Sequence, residues 1–270
     1  MIKFLLLILL LTNGALAQLI GYKAELGFSF HPRDSEISTF SLSPKFGIDY
    51  LITTNLHANL TMGFSYTVLN VSGYSEQNSF DFGNPIITIL KKLNNSSLFK
   101  NNSIAIGVGI PLGTYPGSIP ENRMTEQNFL QAMSSYGFNE SSLWMLNVVP
   151  IMVTGITEVD LGKDFSWRIK LQPNYAIAIN SRPDYFQLSA MNELVYSSES
   201  YSYSIGIHSF AQSESLENND LDQTSILLSL NRNFDSHSFG GTVIINIDKP
   251  YGFQAKTPKP FLGFGVNASW

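Results

Sequence analysis

The stretch Asp164-Phe165-Ser166-Trp167-Arg168-Ile169-Lys170-Leu171-Gln172-Pro173-Asn174-Tyr175-Ala176-Ile177-Ala178-Ile179 decides the fold. Phe165, Trp167, Ile169, Leu171, Pro173, Tyr175, Ile177 and Ile179 point one way. Ser166, Arg168, Lys170, Gln172, Asn174, Ala176 and Ala178 point the other. A period of two is the signature of a strand whose faces meet different surroundings. The run is also far longer than the strand of about six residues usual in soluble domains. A long strand with one wholly apolar face and one polar face fits a membrane barrel, apolar outside and polar inside.

The same alternation recurs along the chain. Leu56, Ala58, Leu60, Met62, Phe64, Tyr66 and Val68 oppose His57, Asn59, Thr61, Gly63, Ser65 and Thr67. Shorter stripes run through Tyr22–Phe30, Phe40–Tyr50 and Ile104–Leu112. Further strands are expected near 80–93, 143–157, 185–197, 201–211, 223–234, 238–248 and 259–270. The fold class is therefore all-β: a transmembrane up-and-down antiparallel barrel of about 12 strands, with 10 and 14 left open. Short turns near Thr53-Thr54-Asn55, Ser198-Glu199-Ser200 and Asp235-Ser236-His237 alternate with longer links near 70–79, 113–142, 212–221 and 249–258. The link at 180–184 is short for this scheme, and the one near 94–102 is long for it.

Composition points the same way. Only 14% of residues are charged, against about 25% in soluble domains. Aromatic residues reach 13%. Mean hydropathy is +0.04, yet no run beyond the first residues could form a membrane helix. A formal net charge of −5 argues against nucleic-acid binding. With no cysteine, disulfides and thiolate metal sites are excluded. No cofactor is expected. At the start, Lys3 precedes the apolar run Phe4–Leu11, and Ala15-Leu16-Ala17 offers a small-x-small cleavage site. Residues 1–17 read as a cleaved signal peptide, and 18–270 as one barrel domain of the Gram-negative outer membrane.

The chain ends in Phe261-Leu262-Gly263-Phe264-Gly265-Val266-Asn267-Ala268-Ser269-Trp270. A terminal aromatic with apolar residues alternating behind it resembles bacterial outer-membrane barrels. That resemblance implies that Phe264, Val266 and Trp270 form the signal read by the barrel-assembly machinery, with outer-membrane lipid and lipopolysaccharide as surroundings. The usual aromatic two places from the end is Ala268 here. Asp81-Phe82-Gly83-Asn84-Pro85 and Gly107-Val108-Gly109-Ile110-Pro111-Leu112-Gly113 are similar to features of the barrel family described as phenol-degradation-pathway transporters. No substrate is carried over from so few residues.

One link breaks the pattern. Within 121–136 the period of two is lost, and Phe129, Leu130, Met133 and Tyr136 follow helical spacing. Gly137 stands where a helix ends, with Pro120 and Ser118 at the expected start. A short helix is expected in this longest outer loop. Such a helix either enters the barrel mouth as a plug or lies over the rim.

The inward charges Lys23, Glu25, Lys45, Asp49, His57, Arg168, Lys170, Glu193 and His208 are the lumen candidates. As a basic strip, Lys45, Arg168 and Lys170 would attract anions. As pairs with Glu25, Asp49 and Glu193, they would fill a narrow lumen. His208-Ser209 brings to mind the Ser and His of outer-membrane lipid hydrolases, but neighbours on a strand face opposite ways. No enzyme is expected. The leading expectation is a narrow channel or passive transporter for small molecules. The alternatives are a non-transporting barrel that binds partners through its loops and, behind it, a lipid-modifying enzyme.

Overall fold

A computed structural model describes residues 18–34, 37–71, 76–96, 98–113, 128–136, 140–179, 184–212, 223–247 and 261–270. The expected signal peptide at 1–17 and most of the first half of the expected helix, 121–127, lie outside the described residues. So do Ser118, Pro120 and Gly137.

Antiparallel strands follow one another around a closed wall. They are β1 (Gln18–Asp34), β2 (Ile37–Thr53), β3 (Leu56–Val71), β4 (Gln77–Phe82), β5 (Ile86–Lys92), β6 (Phe99–Gly109), β7 (Val148–Gly162), β8 (Phe165–Ala178), β9 (Tyr185–Ser197), β10 (Tyr201–Gln212), β11 (Gln223–Asn233), β12 (Ser238–Asn246) and β13 (Phe261–Ser269). β4 and β5 both pair with β3, one along its outer half and the other along its inner half, so 13 segments make 12 positions. Pairing of β1 with β13 closes the wall, from Lys23 opposite Ser269 to Phe30 opposite Leu262. Tyr22 N donates to Trp270 O at 2.7 Å, and Trp270 N donates back to Tyr22 O at 3.1 Å. Closure leaves no edge strand around the ring, which hydrocarbon requires.

Three boundaries differ from the sequence reading. The stretch 80–93 is two segments, because Gly83-Asn84-Pro85 leaves the ladder between them. The stretch 143–157 starts late, since Ser141–Trp144 is a 3-10 turn and the strand begins at Val148. The long-looking link at 94–102 shrinks as β6 extends back to Phe99. One connection is tight by design: Lys163 and Asp164 both have positive φ, 52° and 68°, as a two-residue type I′ hairpin demands.

Outward residues form an apolar belt. Phe46, Met62, Ile106, Leu171, Ile205, Ile207, Leu230 and Phe264 are all exposed to a similar degree around the wall. A continuous surface of this kind is far larger than the few hundred Å² that soluble monomers leave bare. Lipid is the medium that suits it. Near the short-turn end, aromatics cluster, with Phe165 and Tyr196 rings 5.1 Å apart, Tyr196 and Tyr203 6.1 Å, and Tyr22 and Trp270 6.1 Å. The expected assembly-signal residues Phe264, Val266 and Trp270 face outward on this surface.

The protein's own core is inside the ring. A helix, α1 (128–135), and the 3-10 turn fill the lumen from the long-link end. Ile86, Phe129, Ala132, Met133, Tyr136, Leu143, Trp144, Met152 and Phe210 make one buried cluster joining this filling to the wall.

Candidate functional site: a plugged lumen

The plug sits where small inward residues make room. On β1, β2 and β3 the inward positions beside it are Gly27, Ser29, Thr39, Ser41, Ser43, Gly63, Ser65 and Thr67. A Cβ on Gly63 would lie 2.7 Å from Trp144, and one on Gly27 would lie 2.7 Å from the Ser135 hydroxyl. A Cβ on Gly83 would lie 2.6 Å from the Leu143 carbonyl. Alternation alone puts these residues inside. Their small size is what lets a helix approach the wall so closely.

Polar contacts then fix the orientation of the plug. Ser29 Oγ reaches the Gln131 side-chain oxygen at 3.0 Å and its carbonyl at 3.1 Å. Asn128 accepts from Ser65 and Thr67 and donates to Asp81 at 2.6 Å. The Tyr136 hydroxyl donates to the Ser43 carbonyl. At the break between β4 and β5, Asn84 donates to the Met145 carbonyl at 2.6 Å and accepts from Gly113 N at 3.0 Å. Asn84 N also donates to the Leu143 carbonyl at 2.6 Å. The interruption at 83–85 thus lets backbone that would have joined the ladder hold the plug. On the far wall, Asn174 donates to Ser142 Oγ at 2.9 Å, and Ser141 donates to Gln187 at 3.2 Å.

Lys45 supplies the ionic contact. Its ammonium lies 2.7 Å from Glu25 on the wall and 2.5 Å from Glu140 on the plug, and 4.6 Å from the centre of the Tyr136 ring. The lysine side chain is 6% exposed, while each carboxylate is about one-third exposed. Burial works against ionisation of Glu140, but the adjacent Lys45 outweighs it, with Lys170 and Lys23 adding to the effect. The carboxyl is held below its usual range. Tyr136 is pushed well above the usual phenol range, chiefly by burial.

Below the plug lies a cavity of about 430 Å³. The wall on β1 and β2 carries charge, from Lys23, Glu25, Lys45 and Asp49, while Lys170 comes from β8, opposite Ile156 of β7. The opposite wall, on β5, β6 and β7, carries Ile86, Leu90, Ala105, Met152 and Ile156. A smaller cavity of about 100 Å³ lies beside the plug against β11, β12 and β13. Glu25, Lys45 and Glu140 line both, so this charged trio partitions them.

The structure places the residues singled out in the sequence as follows. Lys45, Asp49, His57 and Lys170 line the main cavity. Lys23 pairs with Asp49 at 2.9 Å. Arg168 lies 3.3 Å from Glu193 and 3.6 Å from Glu158. It stands apart from Lys45 and does not line the cavity. Lys23, Lys45 and Arg168 are therefore each ion-paired with a wall carboxylate. His208 is fully buried, its Nε2 2.6 Å from the hydroxyl of Ser189 on the neighbouring strand, not from Ser209. A nucleophile must meet its substrate, and neither Ser189 nor His208 lines either cavity. Phe129, Leu130, Met133 and Tyr136 are all buried within the lumen. Among the described residues no group of His, Asp and Glu could hold a metal ion.

Glu140, Asn128, Gln131 and Trp144 escaped the sequence reading. The first three sit in a segment with no period-two pattern, Trp144 fell in the strand expected at 143–157, and nothing local marks a glutamate whose partner lies 95 positions away.

No family model matches the chain, and no curated protein matches it. Its architecture does match solved structures. An outer membrane channel from Pseudomonas putida F1 superposes with a TM-score of 0.62 at 12% identity, covering 96% of this chain and 99% of that one. The NanC porin gives 0.55 at 6% identity, covering 92% and 98%. The transport unit of the autotransporter AIDA-I from Escherichia coli gives 0.51 at 8% identity, covering 96% and 91%. At such identities the likeness is one of fold. The chain has the closed 12-strand barrel of bacterial outer-membrane proteins.

Proposed function

We propose that this barrel is an outer-membrane channel, closed by its own plug, that passes small solutes when the plug shifts. In this reading the short turns face the periplasm and the long links face outward, as is general for such barrels. The main cavity is then a vestibule reached from the periplasmic side.

The supporting observation is how the plug is held. Its seat on β1, β2 and β3 is made of hydroxyls, glycines and a single lysine. A neutral contact of this kind is worth only about 1 kcal/mol net, and one to a charged group about 1.5–3 kcal/mol. Thr39 Oγ1 on the seat, and Gln131 Nε2 and Trp144 Nε1 on the plug, also have no protein partner among the described residues. A seat so imperfectly satisfied suits an element that leaves it. Barrels of the channel from Pseudomonas putida F1 and of the NanC porin favour transport over a purely structural role, by likeness of fold alone. The protein is not an enzyme in this reading: the Ser189–His208 contact is a wall hydrogen bond sealed from substrate. Lipopolysaccharide around the outer half and the assembly machinery acting on the last strand complete the expected partners.

Planar-bilayer recording tests this. Replacing 121–144 by a short Gly-Ser linker should leave a heat-modifiable barrel and give stable conductance steps that the wild type shows rarely. A folded deletion variant as silent as the wild type would reject the channel.

A further inference from the structure

The outward face of the wall is almost free of charge. Among the described strand side chains, Lys91 on β5 and Arg232 on β11 are the two charged ones that alternate outward, and both stand at the short-turn end. Their surroundings differ. Lys91 lies between Leu56 and Ile104 of the neighbouring strands. Arg232 is set among rings: its guanidinium carbon is 4.9 Å from the centre of the Phe234 ring and 5.7 Å from that of Tyr201, its partner across the ladder. Phe234 in turn stacks on His237, with ring centres 4.5 Å apart. Tyr201 continues into Tyr203, Tyr196 and Phe165, an aromatic girdle of the kind that marks a membrane boundary. Rings hold a guanidinium in place but offer no oxygen to its five N–H donors. Among the described residues no oxygen accepts from Arg232.

Carboxylates stand near Arg232 without pairing with it. Glu199 and Asp235 are exposed in the turns that follow β9 and β11. Asn233 N donates to Ser200 O at 2.8 Å, which ties the two turns side by side. Neither acid forms an ion pair with Arg232. Both lie beyond the strand ends, on its water side. Outside the lumen, every other described charged side chain at this end is three or more strands from β11. The order is a cation at headgroup depth and two anions one step toward water. A headgroup with its phosphate next to the glycerol and an ammonium beyond it has the complementary order.

We propose that Arg232, Tyr201, Glu199 and Asp235 form a binding site for one phosphatidylethanolamine of the periplasmic leaflet. The guanidinium fork matches two oxygens of the phosphate diester. The Tyr201 hydroxyl, without a protein partner among the described residues, adds a donor. The carboxylates receive the primary ammonium. The acyl chains lie along Leu230 and Leu228, the next outward residues of β11, both exposed. An anionic headgroup without the ammonium meets the two carboxylates uncompensated, so the site discriminates against it. The inference goes beyond the channel and rests only on the orientation given above, with the short turns in the periplasm.

Native mass spectrometry of the full-length folded barrel, titrated in detergent with dioleoyl phosphatidylethanolamine or dioleoyl phosphatidylglycerol, counts bound lipid. The wild type should hold one phosphatidylethanolamine about tenfold more tightly than phosphatidylglycerol, the difference that one charge-assisted contact makes. R232Q should lose this lipid, E199Q/D235N should bind the two lipids alike, and K91Q should behave as the wild type. Equal affinities in the wild type, retention of the lipid by R232Q, or a loss in K91Q as large as in R232Q would overturn the proposal. Heat-modifiable mobility reports folding of each variant. If R232Q does not fold, the two-lipid contrast in the wild type and in E199Q/D235N decides. Orientation is read separately. The chain has no cysteine, so S236C gives a single thiol for a maleimide too large to cross the outer membrane. Labelling of intact cells would overturn the periplasmic placement. Protection until the membrane is opened, together with equal binding of the two lipids, removes only the site.

Discussion

Gly63 faces the ring of Trp144, which lies 2.7 Å from the place a Cβ would take. The ring is fully buried and cannot move aside without moving the plug. Gly63→Ala should therefore cost the plug its seat by roughly 1–3 kcal/mol, the usual range for overpacking. The wall should survive, because the added methyl points into the lumen and β3 keeps its ladder with β2. Bilayer recordings should show more frequent openings, with heat-modifiable mobility unchanged; a closed record from G63A would mean that the wall yields instead of the plug. At this scale the sequence was partly legible. The inward placement of Gly63, Ser65 and Thr67 follows from alternation alone. That they are small because a helix lies against them does not, since the helix is some 60 residues further along the chain.

β4 and β5 show what one interruption does to a strand. Gly83 comes within 2.6 Å of the plug backbone, Asn84 binds the plug with its side chain, and Pro85 has no N–H to give to the ladder. Asn84→Ala removes the bonds to Met145 and Gly113 while leaving the flanking segments paired with β3. It should make the link around residues 113–147 more open to protease in the folded barrel; digestion at the wild-type rate would show that Asn84 is dispensable. The alternation made the stripe at 80–93 visible but not its division, because the cause is again a distant partner. The faces of the intact strands are open to a direct test. Ile207 lies outward at mid-strand and Thr88 lines the cavity. Ile207→Arg should destabilise the barrel by about 2–4 kcal/mol in lipid, and Thr88→Arg by much less. Urea titrations of the two variants in bilayers compare them, and equal midpoints would mean that the faces are misassigned.

For the whole molecule, the closed ring was legible because each strand carries its own evidence, and a dozen two-faced strands without an edge have few ways to exist in lipid. The closed lumen was only half legible: the helical spacing of Phe129, Leu130, Met133 and Tyr136 called for an apolar surface, and both lumen and rim offered one. Pairing of the lumen charges settles how firmly the plug rests. Glu140 has its carboxyl held below the ordinary range by Lys45. A group whose folded value is depressed contributes stability that is complete above its unfolded value, about 4.5, and is lost as pH falls through the lower folded value. The latch should thus hold unchanged from neutral pH down to about pH 5 and weaken only in stronger acid. Acrylamide quenching of Trp144 across that range should stay flat and then rise at the acid end. E140Q should start from the higher level and lose most of the rise, because it has no proton to take up there. A rise centred between pH 6 and 7 in the wild type would place control of the plug on a histidine instead, with His57, which lines the same cavity, as the first to replace.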